Sequence, residues 1–164
     1  MRPQPDPLGP GQESVWDYPR PPRIERVARR AVIELGGEVI VDTDDVVRVL
    51  ETSHPPVYYL PISAFVDGAL APGRGSSHCE FKGGARYFDV RGGGQLRSRA
   101  AWNYPTPAAG FEQLADRVAV YARDMDRCTL DGIEVRPQPG RFYGGWITPE
   151  VVGPFKGEPG STGW

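Results

Sequence analysis

Glu51, His54, His78, Lys82 and Arg86 fall in two short stretches, 51–61 and 77–87, where they are interleaved with Tyr58, Tyr59 and Tyr87. A third stretch, Ala101-Trp-Asn-Tyr-Pro105, adds Trp102 and Tyr104. A core needs aromatics. It does not need a glutamate, a lysine and two histidines among them, because an unpaired buried charge is costly. The pattern describes a polar pocket with aromatic walls. Its candidate ligand contacts are Arg26, Glu51, Tyr58, His78, Lys82, Arg86, Trp102 and Tyr104. Glu51 and Lys82 have the widest chemical scope: among aromatics they serve a ligand as hydrogen-bond partners, or act as base and acid with shifted pKa values. The same two side chains serve equally as a structural ion pair between strands, and Arg26 and Arg86 fit either arrangement. The rings suit a flat or cationic ligand, or an ordinary core. Tyr58 and Tyr59 are adjacent on a strand and face opposite ways, so only one of them enters a given pocket.

Other reactive types are less organised. His54 precedes Pro55-Pro56 and reads as a solvated turn residue. A Cys79 nucleophile needs a histidine base; His78 is its neighbour on a strand and points the other way, so only His54, brought in by folding, can serve. Cys79 and Cys128 belong to no C-x-x-C, so neither a structural zinc site nor any other metal or cofactor is implied. Two reduced thiols are expected rather than a disulfide. Asp42-Thr-Asp44 after Gly36-Gly37 imitates the paired carboxylates that hold metal ions in nucleotidyl transfer. A strand rather than a helix lies between them, and Asp42-Thr-Asp-Asp45 reads more simply as a polar turn. Arg91-Gly-Gly-Gly94 lacks the Lys-Ser/Thr of a phosphate loop and reads as a hairpin end.

The elements that must position these residues are strands. Ala31–Leu35 and Glu38–Val41 flank Gly36-Gly37, a strong hairpin signal. Val46–Leu50, Val57–Leu60, Arg86–Val90, Ala100–Tyr104, Arg117–Tyr121 and Arg127–Leu130 are further strand candidates, rich in β-branched and aromatic residues. Phe111, Leu114, Val118 and Tyr121 recur at helical spacing while Arg117–Tyr121 alternates, which predicts a short turn of helix running into a strand. The expectation is a mainly β domain, a curved antiparallel sheet or partly closed barrel with one or two short helices.

With 164 residues the chain fits one domain with a real core. Three segments are expected: a Pro-rich arm over 1–23, a β domain over 24–136, and a Gly/Pro/Trp-rich tail over 137–164. Trp16, Tyr18, Phe142, Tyr143, Trp146, Phe155 and Trp164 are too many large rings for solvated ends, so both ends should pack on the body or on a second copy in a homodimer. A net charge of −2 offers no basic surplus for duplex nucleic acid. No apolar run reaches the ~20 residues that span a membrane, and residues 1–15 show no secretory h-region, so a cytoplasmic location is the expectation.

Val57-Tyr-Tyr-Leu-Pro61, His78-Cys-Glu-Phe-Lys-Gly83 and Ala101-Trp-Asn-Tyr-Pro105 together resemble the bacterial family called domain of unknown function 427, which also carries a nucleotidyltransferase-like label. The likeness covers about residues 24–132, and the outer Trp-bearing pieces look like longer members common in actinobacteria. The resemblance implies a small, mainly β fold with no settled activity. The family's Cys-Pro before Lys-Gly is here Cys79-Glu80, so nothing that depends on that proline carries over. Three readings of function stand: a small-molecule-binding domain whose status as an enzyme is open, a metal-dependent nucleotidyl transferase using Asp42 and Asp44, and a ligand-free assembly module.

Overall fold

The computed structural model describes residues 2–79 and 81–164. The first strands are β1 (Glu13–Ser14), β2 (Arg23–Val27), β3 (Ala31–Leu35), β4 (Glu38–Thr43), β5 (Val46–Leu50) and β6 (Val57–Pro61). The long middle strands are β7 (Leu70–Cys79), β8 (Gly83–Gly92) and β9 (Gln95–Asn103). β10 (Arg117–Val120), β11 (Arg127–Leu130), β12 (Ile133–Glu134), β13 (Arg136–Pro137), β14 (Trp146–Ile147) and β15 (Val151–Val152) complete the chain. Helix among the described residues is confined to 3-10 turns of one turn each, at Val15–Asp17, Ile62–Ala64, Glu112–Leu114 and Ala122–Asp124. The turn at Glu112–Leu114 leads into β10, so the conflict between helical and alternating spacing over 111–121 resolves as the sequence predicts.

Seven strands form an antiparallel sheet in the order β2-β5-β6-β10-β9-β8-β7, with β2 and β7 as open edges. Four more form a second sheet in the order β12-β11-β3-β4. Register shifts at Pro72/Ser76 and Phe88/Val90 bend the long hairpins, which makes the large sheet curved without closing it.

The central strands of the large sheet, β5, β6 and β10, are buried on both faces, and strand alternation decides which residue goes where. Val46, Tyr58, Leu60, Val118 and Val120 join Ile33, Leu35 and Val41 of the small sheet in the main core. Their neighbours Val47, Val49, Tyr59, Ala119 and Tyr121 turn to the opposite face and meet Trp102, Tyr104 and Leu114. That second face carries the candidate site. A third cluster joins the two ends: Val15, Trp16 and Tyr18 pack with Leu50, Ile147 and Val151. Here β1 pairs in parallel with β15, Glu13 opposite Val151, and Trp16 Nε1 donates to the Pro154 carbonyl at 2.9 Å.

Two tight turns lock the sheets together. Leu35 pairs with Glu38 across Gly36-Gly37, whose φ values of +63° and +80° lie in the left-handed region that favours glycine. The β8–β9 turn at Gly93-Gly94 has φ values of +52° and +80°. A Cβ on Gly36 would strike the backbone of Gly92 and Gly93, and a Cβ on Gly93 would strike Gly36. The Arg91–Gly94 run is therefore a hairpin end whose lack of side chains admits another turn.

Candidate functional site

On the second face lies a cavity of about 340 Å³, within the lower range of sites that hold one small molecule. Tyr59 of β6, Trp102 of β9 and Tyr104 just beyond it form its floor. Glu51 enters as the first residue past β5, Cys79 as the last of β7, and Lys82 from the β7–β8 turn. That turn is set by Gly83 at φ +105°, where an added Cβ would sit 3.3 Å from Ala108 N and Thr106 O. The 106–108 backbone explains the room that Gly83 provides, while Gly84 faces open space. The roof comes from far along the chain, through Gln138, Phe142, Tyr143, Gly144, Lys156 and Trp164. Gly144 lies against the Trp102 ring so closely that a Cβ would enter it. Tyr121 Oη donates to the Phe142 carbonyl at 2.9 Å and holds this loop down.

Glu51 sits at the centre of the cavity's charge. Its Oε1 lies 3.9 Å from Lys82 Nζ, and its Oε2 lies 3.6 Å from Arg20 Nε and 3.8 Å from His54 Nε2. These are loose pairs, longer than hydrogen bonds. Lys82 also stands 5.8 Å from the Tyr104 ring centroid. Lys156 is committed elsewhere: its Nζ donates to the Ser161 and Thr162 carbonyls at 2.7 and 2.8 Å. His54 is edge-on to Tyr143 at 4.8 Å between centroids. Gly145 N donates to Gln138 Oε1 at 2.9 Å, which turns Gln138 Nε2 toward His54 Nδ1 at 3.2 Å. The imidazole nitrogen facing that amide is therefore an acceptor. Burial pushes the His54 pKa down to about 3, and the positive charges of Arg20, Lys82 and Lys156 push the same way. Burial also raises the Tyr104 hydroxyl above its ordinary range.

The structure brings five of the sequence candidates to this cavity: Glu51, His78, Lys82, Trp102 and Tyr104. His78 is on its exposed rim. The other three lie elsewhere. Tyr58 points through the sheet and packs on Trp146 at 5.4 Å, leaving Tyr59 as the ring that faces the cavity. Arg26 pairs with Asp45 at 2.7 Å, and Arg86 is exposed on β8. His54 needs correction: it is in the expected turn, but the C-terminal segment covers it, and its side chain keeps only 12% of its exposure. Nothing local in the sequence marks Arg20, Gln138 and Lys156 as site residues; Gln138 meets His54 across 84 positions. Cys79 and His54 line one cavity, yet no hydrogen bond joins them among the described residues. Cys79 and Cys128 are both free thiols, and burial pushes Cys128 up to about 12. Glu80 lies outside the described residues.

Asp42 lies within β4, opposite Val32 of β3, and Asp44 is in the turn between β4 and β5. Both Asp42 oxygens are taken by the Arg30 guanidinium, at 2.7 and 2.6 Å.

The family model for a domain of unknown function (DUF427) matches residues 23–131. The chain belongs to the DUF427 family. No curated protein matches it. The DUF427 span carries the seven-stranded sheet, β3, β4 and β11 of the second sheet, the aromatic floor, Glu51, His54 and Lys82, whereas Arg20 and the whole roof lie outside it. In this chain the DUF427 domain is an open bowl, and its flanks cover it.

Proposed function

We propose that this DUF427 chain binds a small molecule in the roofed cavity. The observation that carries this reading is the coincidence of aromatic walls with a loosely paired glutamate and lysine inside one concave space. A merely structural ion pair closes to hydrogen-bond distance to offset its desolvation; Glu51 and Lys82 stay 3.9 Å apart, with side-chain exposures of 22% and 11%. That leaves both groups with hydrogen-bonding capacity directed at the cavity. The nucleotidyl-transfer reading draws less support, because Asp42 is occupied by Arg30 on another part of the surface.

The test is a thermal-shift screen of a fragment library. A compound present at 100 times its Kd adds about 2.7 kcal/mol to the native state and raises the Tm. The shift should vanish in Tyr104→Ala and persist in Asp42→Asn. A library without a single stabilising compound, or a shift unaffected by Tyr104→Ala, defeats the proposal. A nucleotide that stabilises only with Mg²⁺ and only while Asp42 is intact supports the transferase reading instead.

A further inference from the structure

The described side chains lining the cavity include three cations, Arg20, Lys82 and Lys156, against one carboxylate, Glu51. His54 adds no charge, because Gln138 holds its Nδ1 as an acceptor. The field inside is therefore positive, and low-dielectric walls strengthen it. Lys156 is satisfied by two carbonyls. Lys82 is different: no hydrogen bond to its ammonium is found among the described residues, and its nearest carboxylate oxygen is 3.9 Å away. Arg20 gives one Nη2 hydrogen bond to Thr52 O at 3.1 Å and keeps Nε 3.6 Å from Glu51. Two cationic donors thus flank the cavity with capacity to spare.

Three of the cavity's rings already have a cation beside them. Lys82 stands 5.8 Å from the Tyr104 centroid, Arg99 4.3 Å from that of Tyr87, and Arg123 4.4 Å from that of Tyr121. A cationic ligand would compete with these charges for the same rings and be repelled by them. A flat ligand with a negative group meets neither obstacle.

Building on the small-molecule reading, we propose that the cavity takes a planar aromatic anion, its acidic group held by Lys82 and Arg20 and its ring laid against the Trp102–Tyr104 wall. Glu51 then accepts a ring N–H or hydroxyl, and a charge-assisted contact at the other end fixes the ligand's direction. Carboxylate and phosphate share this chemistry.

Matched probes test it by calorimetric titration: indole-3-carboxylate against its carboxamide and against indole-3-methanamine, and adenosine 5′-monophosphate against adenosine. At least one acid should bind about tenfold or more tightly than its neutral partner, and its affinity should fall as salt rises. Whether the indole acid or the nucleotide wins separates carboxylate from phosphate. Lys82→Met should reduce the preference to threefold or less while leaving the neutral probe's affinity nearly unchanged. Arg20→Gln, at a side chain 42% exposed and safe for folding, should do the same. Neutral or cationic probes that bind as tightly as the acids overturn the anion proposal and leave the small-molecule reading standing. If none of the five probes binds while the fragment screen yields other ligands, the proposal also falls. If the screen is empty too, both fall.

Discussion

The proton on His54 is assigned by its neighbour: with Gln138 Nε2 donating to Nδ1 at 3.2 Å, the hydrogen of the neutral ring sits on Nε2, toward Glu51. Burial and three nearby cations hold its pKa near 3 against an ordinary 6.5. Between those values the unfolded chain binds a proton that the folded chain does not, so stability falls as pH drops through that window. The loss should reach on the order of 2–3 kcal/mol by pH 4.5. His54→Gln should flatten the profile between pH 6.5 and 4.5 in urea unfolding; an unchanged slope would place the proton elsewhere. Below that range the carboxylate of Asp45, held low by its hydrogen bond from Arg117, adds its own loss. Ser53 makes a second prediction. It is fully buried at φ +73°, and its hydroxyl has no partner among the described residues. Ser53→Gly removes both the left-handed backbone cost and the orphaned hydroxyl, and is expected to raise stability by about 1 kcal/mol.

At the level of elements, the Gly36-Gly37 turn separates two roles that glycine plays. Gly37 needs only its left-handed φ of +80°, with open space around it. Gly36 needs that conformation and also abuts the backbone of the β8–β9 turn. Gly37→Asn should therefore cost under about 1 kcal/mol, since asparagine tolerates this region. Gly36→Asn should cost at least about 2 kcal/mol, because backbone cannot yield as a side-chain end can. Equal losses in chemical denaturation would contradict the back-to-back turns. The hairpin itself was legible, because two glycines between alternating segments are a local signal. So was the helix-to-strand change before β10, whereas of the turn expected over Asp42–Asp45 only Asp44-Asp45 is turn, Asp42 and Thr43 being the end of β4. The partner of Gly36 was not legible: Gly92 and Gly93 are 56 and more residues away, and nothing in either turn names the other. The site divides in the same way. Glu51, Lys82, Trp102 and Tyr104 stood out as polar groups among aromatics within short stretches. Alternation showed that one of Tyr58 and Tyr59 must leave the pocket, but the choice depends on which face the small sheet covers. The edge strand β7 carries no β-branched residue and β2, with Ile24 and Val27 three apart, does not alternate, so neither shows the two-residue period of a strand.

For the molecule as a whole, the C-terminal segment is both roof and core. Trp146 is 1% exposed within the main core, packs on Tyr58, and donates from Nε1 to the Val120 carbonyl at 3.1 Å. Trp146→Ala should cost about 3–5 kcal/mol, measured as a fall in the denaturation midpoint. Trp164, only partly buried beside Trp16, should cost clearly less. If Trp146→Ala costs under about 1 kcal/mol, the C-terminal segment is not part of the cooperative unit.

The β1–β15 pairing also sets an order in time. Glu13 meets Val151 across 138 positions of chain, and closing so long a loop spends entropy before its contacts return anything. The β3–β4 hairpin, closed by two glycines, bears almost none of that cost. Val151→Ala should therefore speed unfolding and leave the folding rate nearly unchanged, while Ile33→Val should slow folding, as stopped-flow fluorescence would register. The expected order is the bowl first and its cover last. On the ribosome, β1 waits without its partner until residues near 151 have emerged.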